Sequence, residues 1–130
     1  MPLRCLIVDD SPYFLRSARA LLEREGIAVV GVASTGAEAL RRAEELKPDV
    51  TLVDVGLGGE SGFDLVRRLA RETSLEPPGV ILISTYAEED FADLITASPT
   101  AGFLCKSNLS ARAIRELLSK SGGGDRRQTS

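Results

Sequence analysis

The stretch "LIVDDS", residues 6–11, runs three apolar residues straight into two adjacent acids, Asp9 and Asp10. Asp is disfavoured inside strands and neighbouring carboxylates repel, so such a run ends either in a solvated turn or against something positive. Its reading decides the fold, because runs of the same kind recur along the chain. "RCLIV" (4–8), "IAVVGVA" (27–33), "VTLVDV" (50–55), "GVILIS" (79–84) and "GFLC" (102–105) are short and rich in Val, Ile and Leu. They are mostly continuous rather than alternating, which suits strands covered on both faces of a parallel sheet.

Helical patterns fill the intervals. Phe14, Ala18, Leu21 and Leu22 keep one face through 12–25, with Ser11 as N-cap, Pro12 at the first helical position and Gly26 as the stop. Thr35 and Glu38 form a capping box ahead of Leu40, Ala43 and Leu46, and Pro48 closes that segment. Phe63, Val66, Leu69 and Ala70 mark a third helix after Ser61. A shorter fourth covers 88–97 and is broken by Pro99, and Leu109, Ala113, Ile114, Leu117 and Leu118 give a fifth. Strand and helix thus alternate five times, an α/β pattern. Right-handed crossovers put the helices on both faces of a five-stranded parallel sheet. The domain runs over 1–120, and the polar, glycine-rich end "SGGGDRRQTS" reads as a disordered tail, 121–130.

Composition removes several classes of function. A net charge of -3 argues against binding nucleic acid through a bulk positive field. No apolar run approaches membrane-spanning length and no signal-peptide region opens the chain, so a cytoplasmic address without membrane contact is expected. The chain has no histidine, which excludes His-based triads, His-ligated zinc and a phosphohistidine of its own. Cys5 and Cys105 lack the spacing of a metal site or disulfide framework and read as small buried hydrophobes rather than reactive thiols.

In open α/β sheets, ligands bind beyond the carboxyl ends of the strands. Those ends carry Asp9 and Asp10, then Asp54, then Ser84 and Thr85, then Cys105 and Lys106. Three carboxylates at one edge are costly without a cation, and a hard oxygen site suits Mg²⁺. Lys106 and the Ser84 hydroxyl suit an anion with several oxygens, which makes a phosphoryl group the natural guest. Read instead as ordinary turn residues and helix caps, these side chains would have no reason to share an edge.

At these residues the chain resembles the receiver domains of bacterial two-component response regulators, over about residues 3–120. The resemblance is carried by "DD" after the first strand, "LVDVGLGGESG" (52–62), "LIST" (82–85) and "GFLCK" (102–106). "STYAEEDFADLI" (84–95) and "GFLCKSNLSARAI" (102–114) are similar to receivers of the NarL/LuxR type. The resemblance implies a flavodoxin-like sheet in the order 2-1-3-4-5 and Asp54 as phosphoacceptor. It implies Mg²⁺, with Mn²⁺ as alternative, held by Asp10 directly, by Asp9 as its partner, by Asp54, and by the backbone carbonyl of Gly56. Ser84, with Thr85 beside it, and Lys106 hold phosphoryl oxygens. Phe103 is the aromatic switch, expected to turn inward when Ser84 is recruited and to reshape the face of helix 4, strand 5 and helix 5. The donor is a phosphohistidine on a sensor histidine kinase or phosphotransfer protein, and a homodimer is a further expected assembly. The resemblance also implies that the chain catalyses only its own phosphorylation and dephosphorylation.

The sequence departs from the family's pattern at Gly58 and Ser107, where proline is usual. A trans bond before Ser107 would alter where Lys106 points. Tyr86 reads either as a surface aromatic or as a lid over the phosphoryl group. With Gly56 offering no side chain to orient water, slow loss of phosphate is expected. A haloacid-dehalogenase-like Mg²⁺ phosphatase would place D-x-D after the first strand, which is absent here. A pseudo-receiver binding module would lack an acid or the lysine, and all five site residues stand.

Overall fold

The structure, a computed structural model, describes residues 2–57, 59–72, 79–86, 88–97 and 100–119. Gly58, Pro99 and the tail 121–130 lie outside the described residues. Five parallel strands, β1 (Arg4–Val8), β2 (Ala28–Ala33), β3 (Val50–Asp54), β4 (Val80–Ser84) and β5 (Gly102–Cys105), form one sheet. Its order is β2-β1-β3-β4-β5, as expected. Helices α1 (Pro12–Arg24), α2 (Gly36–Leu46), α3 (Gly62–Glu72), α4 (Ala92–Thr96) and α5 (111–119) connect and follow the strands. No helix among the described residues is long and apolar enough to cross a membrane.

Strand alternation divides the core into two layers. Cys5 and Ile7 of β1, Val50 and Leu52 of β3, and Ile81 and Ile83 of β4 pack with Ala18 and Leu22 of α1 and Ala111 and Ile114 of α5. Leu6 and Val8, Val53, and Val80 and Leu82 face the opposite way, onto Ala39 and Ala43 of α2 and Phe63, Val66 and Leu69 of α3. The central strands β3 and β4 are buried along their whole length, which is why their sequences do not alternate. At the edge, β2 alternates buried and half-buried residues and begins at Ala28, one residue later than expected.

Local signals act where the sequence puts them. Ser11 accepts from the Phe14 amide at 3.2 Å and Pro12 opens α1; Gly26, at a φ of 91°, follows its end. Thr35 caps α2, while the Glu38 carboxylate takes the Ser34 amide at 2.9 Å rather than that of Thr35. That hydrogen bond, helped by Arg42, holds the Glu38 carboxyl below its usual range. Ser110 accepts from the Ala113 amide at 3.0 Å and so caps α5, with Glu25 of the α1 terminus adding a bond from the Ala111 amide at 2.7 Å. The segment expected as one helix over 88–97 is a 3-10 turn, Glu88–Phe91, leading into the five-residue α4. Phe91 at the start of α4 makes no capping side-chain hydrogen bond. A two-residue antiparallel ladder between Gly56–Leu57 and Glu60–Ser61 was not foreseen from the sequence.

Candidate functional site

The register of the sheet brings the acids together. Asp9 extends β1 by one residue, its amide donating to the Ala33 carbonyl at 3.0 Å, and it is fully buried. Asp54 ends β3 and pairs in register with Ile83 of β4; only 8% of it is exposed. By alternation Asp9 continues the row of Cys5 and Ile7, and Asp54 that of Val50 and Leu52, so both belong to the α1–α5 side. Exposed Asp10 joins them, and one carboxylate oxygen from each of the three lies within 4.8 Å of the others.

Lys106 follows β5 and reaches the same cluster. Its Nζ is 2.5 Å from Asp9 Oδ2 and 3.7 Å from Asp54 Oδ2, with 15% of the side chain exposed. The ring of Phe14 covers the ammonium at 4.2 Å from its centroid. No peptide bond among the described residues is cis, so the bond before Ser107 is trans and Lys106 reaches the acids nonetheless. Residues Lys106–Asn108 form a 3-10 turn that sets the lysine at the sheet edge.

One ammonium faces three carboxylates, and the imbalance is visible in Asp54. Burial first, then the Asp9 charge, push its carboxyl from 3.8 up to about 6, against the opposing pull of Lys106 and a hydrogen bond from the Gly56 amide. Asp9 Oδ1 accepts from the Ser11 amide at 2.9 Å, but Oδ2 has no partner in hydrogen-bonding geometry despite its proximity to Lys106. Three clustered carboxylates that share a single ammonium among the described residues fit a divalent cation with oxygen preference.

The remaining residues lie on the neighbouring strand ends. Ser84 is buried and pairs in register with Cys105; its hydroxyl accepts from the Tyr86 amide at 3.0 Å. Thr85 beside it is exposed, and its carbonyl lies 4.0 Å from the Cys105 sulfur. One expectation needs correction. Phe103 is already inward, 8% exposed, because alternation points it into the α2–α3 layer, where its ring meets Phe91 at 6.1 Å. Of its two readings Tyr86 takes the surface one here: it is 64% exposed and leans edge-on against Phe91 at 6.3 Å. Cys5 is buried as expected, its thiol pushed up to about 12 by burial. Cys105 is only half-buried, since it ends its strand, and the Ser107 hydroxyl at 3.3 Å lowers its thiol pKa.

Three supporting residues were not singled out from the sequence. Phe14 read only as core. Gly62, which opens α3, lies so close to the end of β3 that a Cβ there would stand 2.1 Å from the Asp54 carbonyl oxygen and 2.7 Å from Val55 Cα. Glu60 crosses from the loop after Asp54 to α2, where its carboxylate accepts from the Gly36 amide at 2.9 Å. Gly62 carried a signal, being one of a glycine cluster after an acid; an exposed glutamate carries none.

Residues 5–119 match the family described as response regulator receiver domain. A protein-glutamate methylesterase/protein-glutamine glutaminase from Myxococcus xanthus is 37% identical over 123 residues, 94% of this chain and 34% of that protein. Response regulator GacA of Pseudomonas viridiflava is 37% identical over 106 residues, 80% of this chain and 48% of GacA. The chain therefore spans about a third to a half of the length of these relatives. Among solved structures, a LuxR-family two-component response regulator from Aurantimonas sp. SI85-9A1 superposes with a TM-score of 0.79 at 26% identity, covering 92% of this chain and 86% of that one.

Proposed function

The chain belongs to the response regulator receiver domain family, and from that premise we propose that Asp54 is its phosphoacceptor. The observation that carries the proposal is the cluster of buried Asp9 and Asp54 with exposed Asp10, and Lys106 Nζ between the two buried members. An Asp54 carboxylate oxygen attacks phosphorus in line. The bond from phosphorus to the donor's imidazole nitrogen breaks, and the electron pair leaves with that nitrogen. Asp54 is then an acyl phosphate, and no proton has to leave it at neutral pH. Lys106 receives the charge on the phosphoryl oxygens, and the Ser84 and Thr85 hydroxyls supply rotatable donors beside it. Asp9, Asp10, Asp54 and the Gly56 carbonyl would hold Mg²⁺, or Mn²⁺ in its place, and the ion would supply positive charge for the phosphoryl oxygens.

The donor partner in this reading is a sensor histidine kinase or a phosphotransfer protein, since the chain has no histidine. The domain, 1–120, turns over no separate substrate and works in the cytoplasm. Its output rests on Ser84. To donate its proton to a phosphoryl oxygen the hydroxyl turns about the Cα–Cβ bond, and that turn carries Oγ away from the Tyr86 amide it now accepts from. Release of Tyr86 then loosens the ring cluster around Phe91 and Phe103 and reshapes the face of α4, β5 and α5, where a partner or a second protomer docks.

Incubation with acetyl phosphate and Mg²⁺, read by intact mass, tests the acceptor. The protein should gain one phosphoryl group, Asp54→Asn should gain none, and Asp10→Ala should lose Mg²⁺ affinity first. Labelling that persists in Asp54→Asn removes the assignment.

A further inference from the structure

We propose that Phe14 is a positioning residue for Lys106: the face of its ring holds the ammonium at the acidic cluster through phosphoryl transfer. The proposal rests on the reading of Asp54 as phosphoacceptor and adds a residue of α1 to that site.

Lysine carries its charge on a flexible four-carbon stem, so its placement depends on what the ammonium touches. Among the described residues, three groups surround it: Asp9 Oδ2 at 2.5 Å, Asp54 Oδ2 at 3.7 Å and the Phe14 ring centroid at 4.2 Å. Both carboxylates are groups that a cation and the phosphoryl group would claim in the reaction. The ring is the contact that persists when they are claimed. An aromatic face attracts an ammonium through its quadrupole, more strongly where water is excluded, and the Lys106 side chain is only 15% exposed.

The ring is also fixed relative to the acids by a short chain of hydrogen bonds. Asp9 Oδ1 accepts from the Ser11 amide at 2.9 Å, and Ser11 Oγ accepts from the Phe14 amide at 3.2 Å. Pro12 restricts the backbone between them. One helix-capping turn therefore presents a carboxylate oxygen and a ring face to the same ammonium. The cap that starts α1 doubles as the device that aims Lys106.

The test compares acetyl phosphate labelling rates of the full chain with Phe14→Leu and Phe14→Trp, each also in a Lys106→Ala background. Leucine keeps apolar packing but has no ring face, whereas tryptophan keeps the face. Phe14→Leu should label roughly tenfold more slowly, and Phe14→Trp should recover most of that loss. In Lys106→Ala the same substitutions should change nothing further, because the ring acts through the lysine. The ε-methylene protons of Lys106 should show an upfield ring-current shift by NMR that Phe14→Leu abolishes. Equal rates for native protein and Phe14→Leu, or a Phe14→Leu loss undiminished in Lys106→Ala, overturn the role of Phe14. If Phe14→Leu does not fold, the ring-current shift in native protein decides, and its absence overturns the proposal. Native protein that takes no phosphoryl group overturns the reading of Asp54 itself, whatever stands at position 14.

Discussion

On the α1–α5 side of the sheet edge, Asp9 and Asp54 converge on one ammonium, both within 3.7 Å. On the α3–α4 side, the rings of Phe63, Tyr86 and Phe103 gather around Phe91 with centroids 5.8 to 6.3 Å apart. Strand alternation sorts the two: Asp9, Asp54 and Lys106 continue rows that face one layer, and Phe103 and Ser84 rows that face the other. The charged side is under electrostatic stress, with three carboxylates against one lysine. The aromatic side is neutral, and such ring pairs add stability beyond the area they bury. Chemistry therefore belongs to the side that gains most from a new partner. On the proposed function, the readout belongs to the side that can repack without moving a charge. Ser84 joins them, sitting at the end of a central strand with its hydroxyl turned toward the Tyr86 amide.

The largest effect should come from the backbone contact through which α3 braces the acceptor. Gly62→Ala would put a methyl carbon 2.1 Å from the Asp54 carbonyl oxygen, and backbone on both sides leaves little to yield. A loss of roughly 3 kcal/mol in urea unfolding is expected, with slower phosphorylation of whatever remains folded. A loss below about 1 kcal/mol would mean that α3 shifts freely and does not fix Asp54.

How much of this was legible follows from which physics is local. The fold was readable because strands buried on both faces leave continuous apolar runs, and Ser11, Pro12 and Gly26 mark the ends of α1 in the chain itself. Asp9, Asp10, Asp54 and Lys106 were readable because topology assigns strand ends to one edge. Phe14 was not, since an aromatic at helical spacing looks the same whether its ring meets leucine or an ammonium. Gly62 was marked only by the glycine cluster after Asp54, because its necessity lies in a tertiary distance. The direction of Phe103 did follow from alternation along β5, but its inward packing also needed Phe91, which comes from a turn that the sequence reads as plain helix.

A second effect, of intermediate size, probes the stress on the charged side. In metal-free protein the Asp54 carboxyl stands at about 6, raised from 3.8 mainly by burial. Between those values the native state holds more protons than the unfolded state, so stability falls as pH rises through the window and levels off above it. Asp54→Asn has no such dependence. It should be more stable than native protein at pH 7 by at most about 3 kcal/mol, with the gain gone below about pH 4. Urea unfolding of both proteins across that range checks the sign, and a gain that grows toward acid pH would contradict it.

The smallest effect separates the two sides at the level of dephosphorylation. Loss of the phosphoryl group requires a water in line with phosphorus, opposite the Asp54 oxygen, and a polar side chain two residues past the acceptor can orient it. Gly56 occupies that position with no side chain. A Cβ there meets nothing within 4 Å, so Gly56→Asn fits without strain and should speed the decay of phosphorylated protein severalfold. Tyr86 belongs to the aromatic side: its ring is 64% exposed and rests on Phe91. Removing it uncovers no approach that is now covered, so Tyr86→Ala should leave the decay nearly unchanged. The comparison is made by following phosphorylated protein in Mg²⁺ by intact mass after the donor is removed. If Tyr86→Ala speeds the decay as much as Gly56→Asn does, the ring swings over the phosphoryl group in the phosphorylated state. The aromatic side would then take part in the chemistry as well as in its readout.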